Sequence, residues 1–363
     1  MTVSSPTKRV EGLDFARALA LFGMLIVNFA VITGVEGKGS DWLIRFTGIF
    51  QGRAAAAFVM LAGIGVALMT RKVRNNASPA SIRSTRLDLW KRSAFLLVSG
   101  LLLYAVGWTG DILHYYGVYM FIAAFLITVP RKVVIVAASG VVIMAQTMQV
   151  TFNYMNGWHP EQPFMEYLDF WTVEGFLRNL LFNGYHPVFP WICFFLIGMV
   201  IGRLDLSNPL VRKKLLVTSL LSAIIVESLS RILLQTSLSV LDVESAEYLF
   251  QTGPVPPNLF YILSNSSTAL VVIILSVYFA ERFAGHWFTN AIVNTGQMTL
   301  THYVSHVLIG IGLLSFLNRL QNQSLAFSLL FSCLFFAASI LFSVLWKRKF
   351  TRGPMELLMR KIC

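Results

Sequence analysis

An all-α, polytopic membrane protein is the fold class this sequence predicts, on three observations. Of its 363 residues 56% are hydrophobic and only 13% charged, whereas a soluble domain carries about 25% charged residues. The mean hydropathy is +0.68. The apolar residues also gather in runs of about twenty, the length of helix that spans a hydrocarbon core.

Ten such runs are expected as transmembrane helices, and charged or turn-forming residues bound each. The first, 13–33, follows "KRVEG" and carries Asp14, Arg17 and Asn28. The second, 54–70, is short and alanine-rich, and ends at the basic stretch 71–92. A tight connection at 109–111 joins the third, 93–109, to the fourth, 112–129, and "PRK" separates the latter from the fifth, 133–150. The sixth, 187–203, opens on two prolines; Pro190 falls far enough in to break a regular start. The seventh, 215–233, holds Glu227 and Arg231 at i,i+4 spacing, which predicts a structural ion pair. The eighth, 259–280, contains the polar band "SNSST", expected to bond neighbouring helices. The ninth is 297–317 and the tenth 325–346, and no linker divides the chain, so residues 1–363 form one transmembrane domain.

An even number of spans puts both termini on one side, and charge says which. The connections on that side, with the termini, hold 22 of the 29 Lys and Arg but 5 of the 17 acids. The opposite connections hold 5 basic residues and 9 acids. By the positive-inside rule both termini are expected in the cytoplasm. The net charge of +12 then reports topology, and no nucleic-acid partner is needed to explain it. No small-residue cleavage site follows the first apolar run, so that run is expected to be a retained span rather than a signal.

Two outer connections are long. Residues 151–186 include Phe170, Trp171, Phe176, Leu177 and Leu180, which fit the apolar face of a helix lying in the membrane interface. Residues 234–258 are acidic, end in "GPVPPN", and read as an irregular loop.

Polar groups in hydrocarbon are costly and usually line a functional cavity. Asp14 and Arg17 are three apart, on one helix face at the cytoplasmic mouth of the first span, and can pair. They either anchor the helix end or meet an anionic ligand. Asp111 and His114 repeat the spacing where the fourth span opens. Asp111 either caps that helix or orients the imidazole as a general base. His186 stands beside the proline-broken start of the sixth span, in "YHPVFPW" with Trp191, and both are taken as substrate-binding candidates. "HYVSHVLIG" places His302 and His306 four apart, on one face of a regular helix, with Tyr303 between them. Cys193, Cys333 and Cys363 show no paired spacing, and no CxxC or HExxH occurs, so neither disulfide nor metal site is expected.

These stretches resemble a known group. "RVEGLDFARALALFGMLIVN", "GDILHYYG", "YHPVFPWICFFLIGMVIGR", "GQMTLTHYVSHVL" and "RGPMELLMR" are similar, in order, to motifs of the bacterial DUF418 membrane proteins and of relatives of the lysosomal heparan-α-glucosaminide N-acetyltransferase. The resemblance implies a bacterial inner-membrane acyltransferase taking an acetyl or other acyl group from acetyl-CoA or another acyl-CoA. In the lysosomal relative the acceptor lies across the membrane from the donor. By position Asp14, Arg17 and Asn28 match the first-helix motif and His306 the histidine closing the ninth; His302 has no counterpart. The relative's first outer loop carries a histidine to which catalysis is attributed. The equivalent loop here, "VEGKGSDWLIRFTGIFQG", has none, so the same residue does not act here.

Three functions follow from these readings. The first is acyl transfer to the hydroxyl or amine of a small or sugar-like acceptor. His306 or His114 would be the base, and Asn28 or Tyr303 would stabilise the oxyanion. The second is export of a polar small molecule, with Asp111, His302 and His306 forming a relay. The third is a structural or signalling protein whose polar residues hold helices together. The oligomeric state is not encoded in any motif.

Overall fold

Residues 10–76 and 78–363 are described by the computed structural model. Residues 1–9, the start of the segment read as lacking a cleavable signal, and Ala77 lie outside the described residues. The elements are α1 (Glu11–Ile32), α2 (Asp41–Gly48), α3 (Arg53–Met69), α4 (Arg71–Asn75), α5 (Pro79–Ala105), α6 (Leu113–Leu126), α7 (Arg131–Thr151), α8 (Val173–Arg178), α9 (Val188–Ile201), α10 (Pro209–Ser237), α11 (Val243–Phe250), α12 (Leu259–Arg282), α13 (Trp287–Gly296), α14 (Thr299–Ser305), α15 (Gly312–Phe316), α16 (Leu325–Trp346) and α17 (Pro354–Ile362). A π-helical turn at Asn179–Asn183 follows α8, and a second, His306–Ile311, joins α14 to α15.

Every predicted run is helical, but not every helix is long and apolar enough to cross a bilayer. Seven of the described helical units are, with α2–α3 taken as one unit and α14–α15 as another; the bent pair Val173–Asn183 and Val188–Ile201 makes an eighth if it is one span. The two that fall short are α5, whose N-terminal half is the polar stretch "PASIRSTRLDLWKR", and α6, with 14 residues against about 20 for a crossing.

Burial separates inner from outer helices. In α1 and α12 61% of the apolar window is buried, against 17% in α10 and 22% in α16. The outer helices α7, α10 and α16 present Val136, Ile143, Ile224, Ile225, Leu334 and Leu341 outward. An exposed apolar surface on this scale belongs against lipid. Two glycines let α3 and α9 meet at the centre: a Cβ at Gly63 would strike the Phe195 carbonyl, and one at Gly198 the Met60 carbonyl. Ser78, Asn208, Asn258 and Ser324 cap their helices by accepting a backbone N–H in the first turn.

Several local readings change. Glu227 does not pair with Arg231; it accepts from Arg53 at 3.1 Å and from Ser264 at 2.5 Å, so it ties α10 to α3 and α12. Helical spacing gave Arg231 as the nearest partner, but Glu227 turns inward toward a buried cation. The predicted interfacial helix in 151–186 is instead a knot of turns followed by α8. Phe170 stacks on Tyr104 at 3.5 Å and is 1% exposed, so this segment packs on the bundle through its aromatics. The loop 234–258 contains α11, capped by Asp242. The polar band of the eighth run bonds across helices as expected, Ser264 to Glu227 and Ser267 to Ser222. Phe189 has non-helical angles inside α9, the irregular start that Pro190 predicts.

Candidate functional site

The first helix carries the thread of the site. From its N-terminal end, Arg17 donates to Asp14 at 2.5 Å; Asp14 is 1% exposed and also accepts from Gln297 at 3.2 Å. Gln297 in turn accepts from Lys347 at 2.5 Å. The Arg17 side chain lines a pocket of about 170 Å³ with Arg92, Tyr116, Thr299, Tyr303 and Met359. Eleven residues further along the helix, about 16 Å at 1.5 Å per residue, Asn28 lines a second concavity of about 160 Å³. Trp108, His186, Trp191, Glu36 and Gln51 also line it, and the remaining wall is largely apolar.

A hydrogen-bonded plug separates the two. Trp108 lines the second cavity and Tyr303 the first pocket, and Trp108 Nε1 donates to Tyr303 Oη at 3.3 Å. The Ile112 amide also donates to that oxygen, at 3.0 Å. The single phenolic proton is left for Asp111 Oδ1, 3.2 Å away. The other oxygen of Asp111 meets His114 Nδ1 at 2.8 Å and accepts the His114 amide at 3.0 Å. Capping and imidazole orientation, alternatives from spacing, are therefore both performed by one carboxylate. Gly100 of α5 makes this possible, because a Cβ there would strike the His114 backbone and the Asp111 carboxylate. Asp111 and His114 are fully buried.

Proton positions follow from the partners. His114 Nδ1 faces a carboxylate and carries the proton, leaving Nε2 as a buried lone pair with no protein partner among the described residues. His306 Nδ1 bonds the Tyr303 carbonyl, which can only accept, so Nδ1 holds the hydrogen and Nε2 accepts from Asn28 Nδ2 at 3.1 Å. His302 differs. Its Nε2 lies 2.7 Å from Ser343 Oγ, whose own hydrogen goes to the Ser339 carbonyl, so His302 donates there. The two histidines expected on one face thus have separate neighbours: His302 faces α16, while His306 faces Asn28 and the edge of Trp108. The change to π-helical geometry at His306 accompanies this divergence.

The fold accordingly gathers Asn28, Asp111, His114, Tyr303 and His306 into one network. His186 stands beside it, facing the Asp111 backbone and the His114 ring, with Trp191 edge-on at 4.5 Å. Asp14 and Arg17 form a separate pair nearer the N-terminal end, and His302 stands apart. Sequence reasoning missed Trp108, the residue that joins the two concavities. Its signal was its place in "GWTGD", beside the carboxylate already singled out. No cluster of three His, Cys, Asp or Glu side chains able to hold a metal ion occurs among the described residues.

Comparison with known proteins fits this arrangement to a family. Residues 201–363 match the family described as "Protein of unknown function (DUF418)". A search of curated proteins finds no match. Residues 9–240 match the family described as "Heparan-alpha-glucosaminide N-acetyltransferase, catalytic". Those residues hold α1, the Asp111–His114 pair and the His186–Trp191 corner, and the chain belongs to that family of acetyltransferase-like membrane proteins.

Proposed function

We propose that the protein is a membrane-embedded acyltransferase that moves an acetyl or other acyl group from an acyl-CoA to an amine or hydroxyl. One observation carries this reading: two concavities reached from opposite ends of α1 meet at the Trp108–Tyr303 hydrogen bond. A single-substrate site has no use for two approaches to one polar plug. Family membership gives the reaction class.

In this account the cytoplasmic face is the one bearing the termini, and ten crossings include the short α5 and α6. The donor enters beside Arg17 and Arg92, whose guanidinium groups suit its phosphates. Its acyl end reaches Tyr303. The acceptor enters the Asn28 cavity. His306 Nε2, held as a lone pair by its own Nδ1–H bond, takes the acceptor's proton. Asn28 Nδ2 is the better oxyanion donor, because the proton of Tyr303 is committed to Asp111. Asp111 fixes both Tyr303 and His114, and the free Nε2 of His114 is the second basic atom of the network. His186 and Trp191 hold the acceptor, while His302 supports α14 through Ser343.

The sided test uses proteoliposomes with the protein in one orientation, labelled acetyl-CoA on the Arg17 face and an amine on the other. Label should appear in the amine only when both faces are supplied. Transfer with donor and acceptor on the same face alone would remove the two-ended reading.

A further inference from the structure

The acceptor cavity continues into a groove of about 480 Å³, and Phe164 and Val255 belong to the walls of both. The groove carries Glu244 and Glu247, three apart on α11, beside the rings of Tyr248 and Phe152. The cavity carries Glu36, which accepts from Gln51. Among the described residues neither Glu244 nor Glu247 has an ion-pair partner, and no lysine or arginine lines either concavity. A second, independent feature points to a ligand. Trp191 is 1% exposed and lines the cavity, yet its Nε1 donor has no partner among the described residues. An unpaired buried donor costs about 1–3 kcal/mol unless something occupies it. Between these polar ends the wall is apolar, formed by Met24, Val27 and Val31.

We propose that the acceptor is an aliphatic organic cation with at least two amino groups, one acylated in the cavity and another held as ammonium by Glu244 and Glu247 in the groove. The inference rests on the acyltransfer reading for the fate of the first amine. Carboxylates beside aromatic faces recognise an ammonium through charge and cation–π attraction. The apolar wall takes the methylene chain, and the absence of lining cations leaves an anionic acceptor unneutralised. In the transfer, the neutral amine nitrogen forms the C–N bond to the acyl carbon while the C–S bond of the acyl-CoA breaks. The proton lost from nitrogen passes to His306 Nε2 and on to the departing thiolate. The products are the amide and free coenzyme A.

The test is equilibrium binding by calorimetry on the full chain in nanodiscs of zwitterionic lipid. Spermidine is the probe, with butylamine and glutarate as comparators and acetyl-CoA measured in parallel. Spermidine should bind more tightly than butylamine, and glutarate should not bind. The double substitution Glu244→Gln, Glu247→Gln should weaken spermidine about fivefold, as two partly exposed ion pairs allow, and leave butylamine unchanged. Equal spermidine affinity in the double variant, or preference for glutarate, would overturn the proposal. Spermidine binding that depends on the two glutamates without any acetyl-CoA binding would sink the acyltransfer reading and keep the cation subsite. Acetyl-CoA binding without spermidine binding would do the reverse.

Discussion

Tyr303 donates to Asp111 across 192 residues of sequence, at 3.2 Å, with both side chains at 1% exposure or less. That bond joins α14 to the start of α6 and places one carboxylate between a phenol and an imidazole. Because the carboxylate has no water to fall back on, its partners decide whether it is tolerated.

Replacing it tests that role. Asp111→Asn keeps the shape but cannot enforce Nδ1–H on His114 and accepts fewer donors. Transfer should fall by about 10²–10⁴-fold, the usual worth of a positioned acid–base group, with the protein still monodisperse in detergent. Full activity in this variant would remove Asp111 from the site.

The three histidines should separate. His306→Ala should abolish transfer with donor binding kept, since its Nε2 faces the acceptor cavity through Asn28. His302→Ala should lower thermal stability more than rate, because its partner is Ser343. His114→Ala should lower rate by less than His306→Ala. Rate constants beside donor affinity for each variant give the answer, and equal tolerance at all three would end the catalytic-histidine account.

Glu227 offers a test of the fold alone. A double-mutant cycle between Arg53→Ala and Glu227→Gln should return a coupling of about 0.5–1 kcal/mol, modest because both groups are partly exposed. The corresponding cycle with Arg231→Ala should return none. Unfolding midpoints in detergent supply the numbers.

The C-terminal helix should be held in a pH-dependent way. Glu356 accepts from the amides of Leu300 and Thr301 and from the Thr301 hydroxyl, docking α17 on the first turn of α14. Burial raises its carboxyl above 4.5 despite those bonds. A raised carboxyl contributes stability that is full below the unfolded value and is lost as pH climbs through the folded one. Proteolytic release of the tail should therefore increase as pH rises above about 4.5, and Glu356→Gln should flatten that dependence. A wild-type profile as flat as the variant's would contradict it.

What the sequence reveals of this site follows chain distance. Asp14–Arg17 and Asp111–His114 are each three residues apart, so helical geometry predicts both pairs, and both form. Asn28 and His306 meet across 278 residues, and only the family resemblance sets them among the same motifs. Trp108 carries no charge and reads as one more interfacial aromatic until the fold turns its Nε1 onto Tyr303. Helical spacing misleads where a nearer partner competes, as with Glu227, and where the helix itself changes pitch, as at His306. Apolar runs locate all ten helices. They do not reveal that α6 starts at a buried, polar Asp111 and spans only 14 residues.

The central claim is that an acyl-CoA occupies the pocket beside Arg17 and Arg92, and its most direct test is calorimetric binding of acetyl-CoA to the purified protein. The account expects saturable binding, competition by coenzyme A but not by acetate, and an affinity at least tenfold weaker in Arg17→Ala with folding intact. No binding to the wild-type protein, or equal binding to Arg17→Ala, would contradict it.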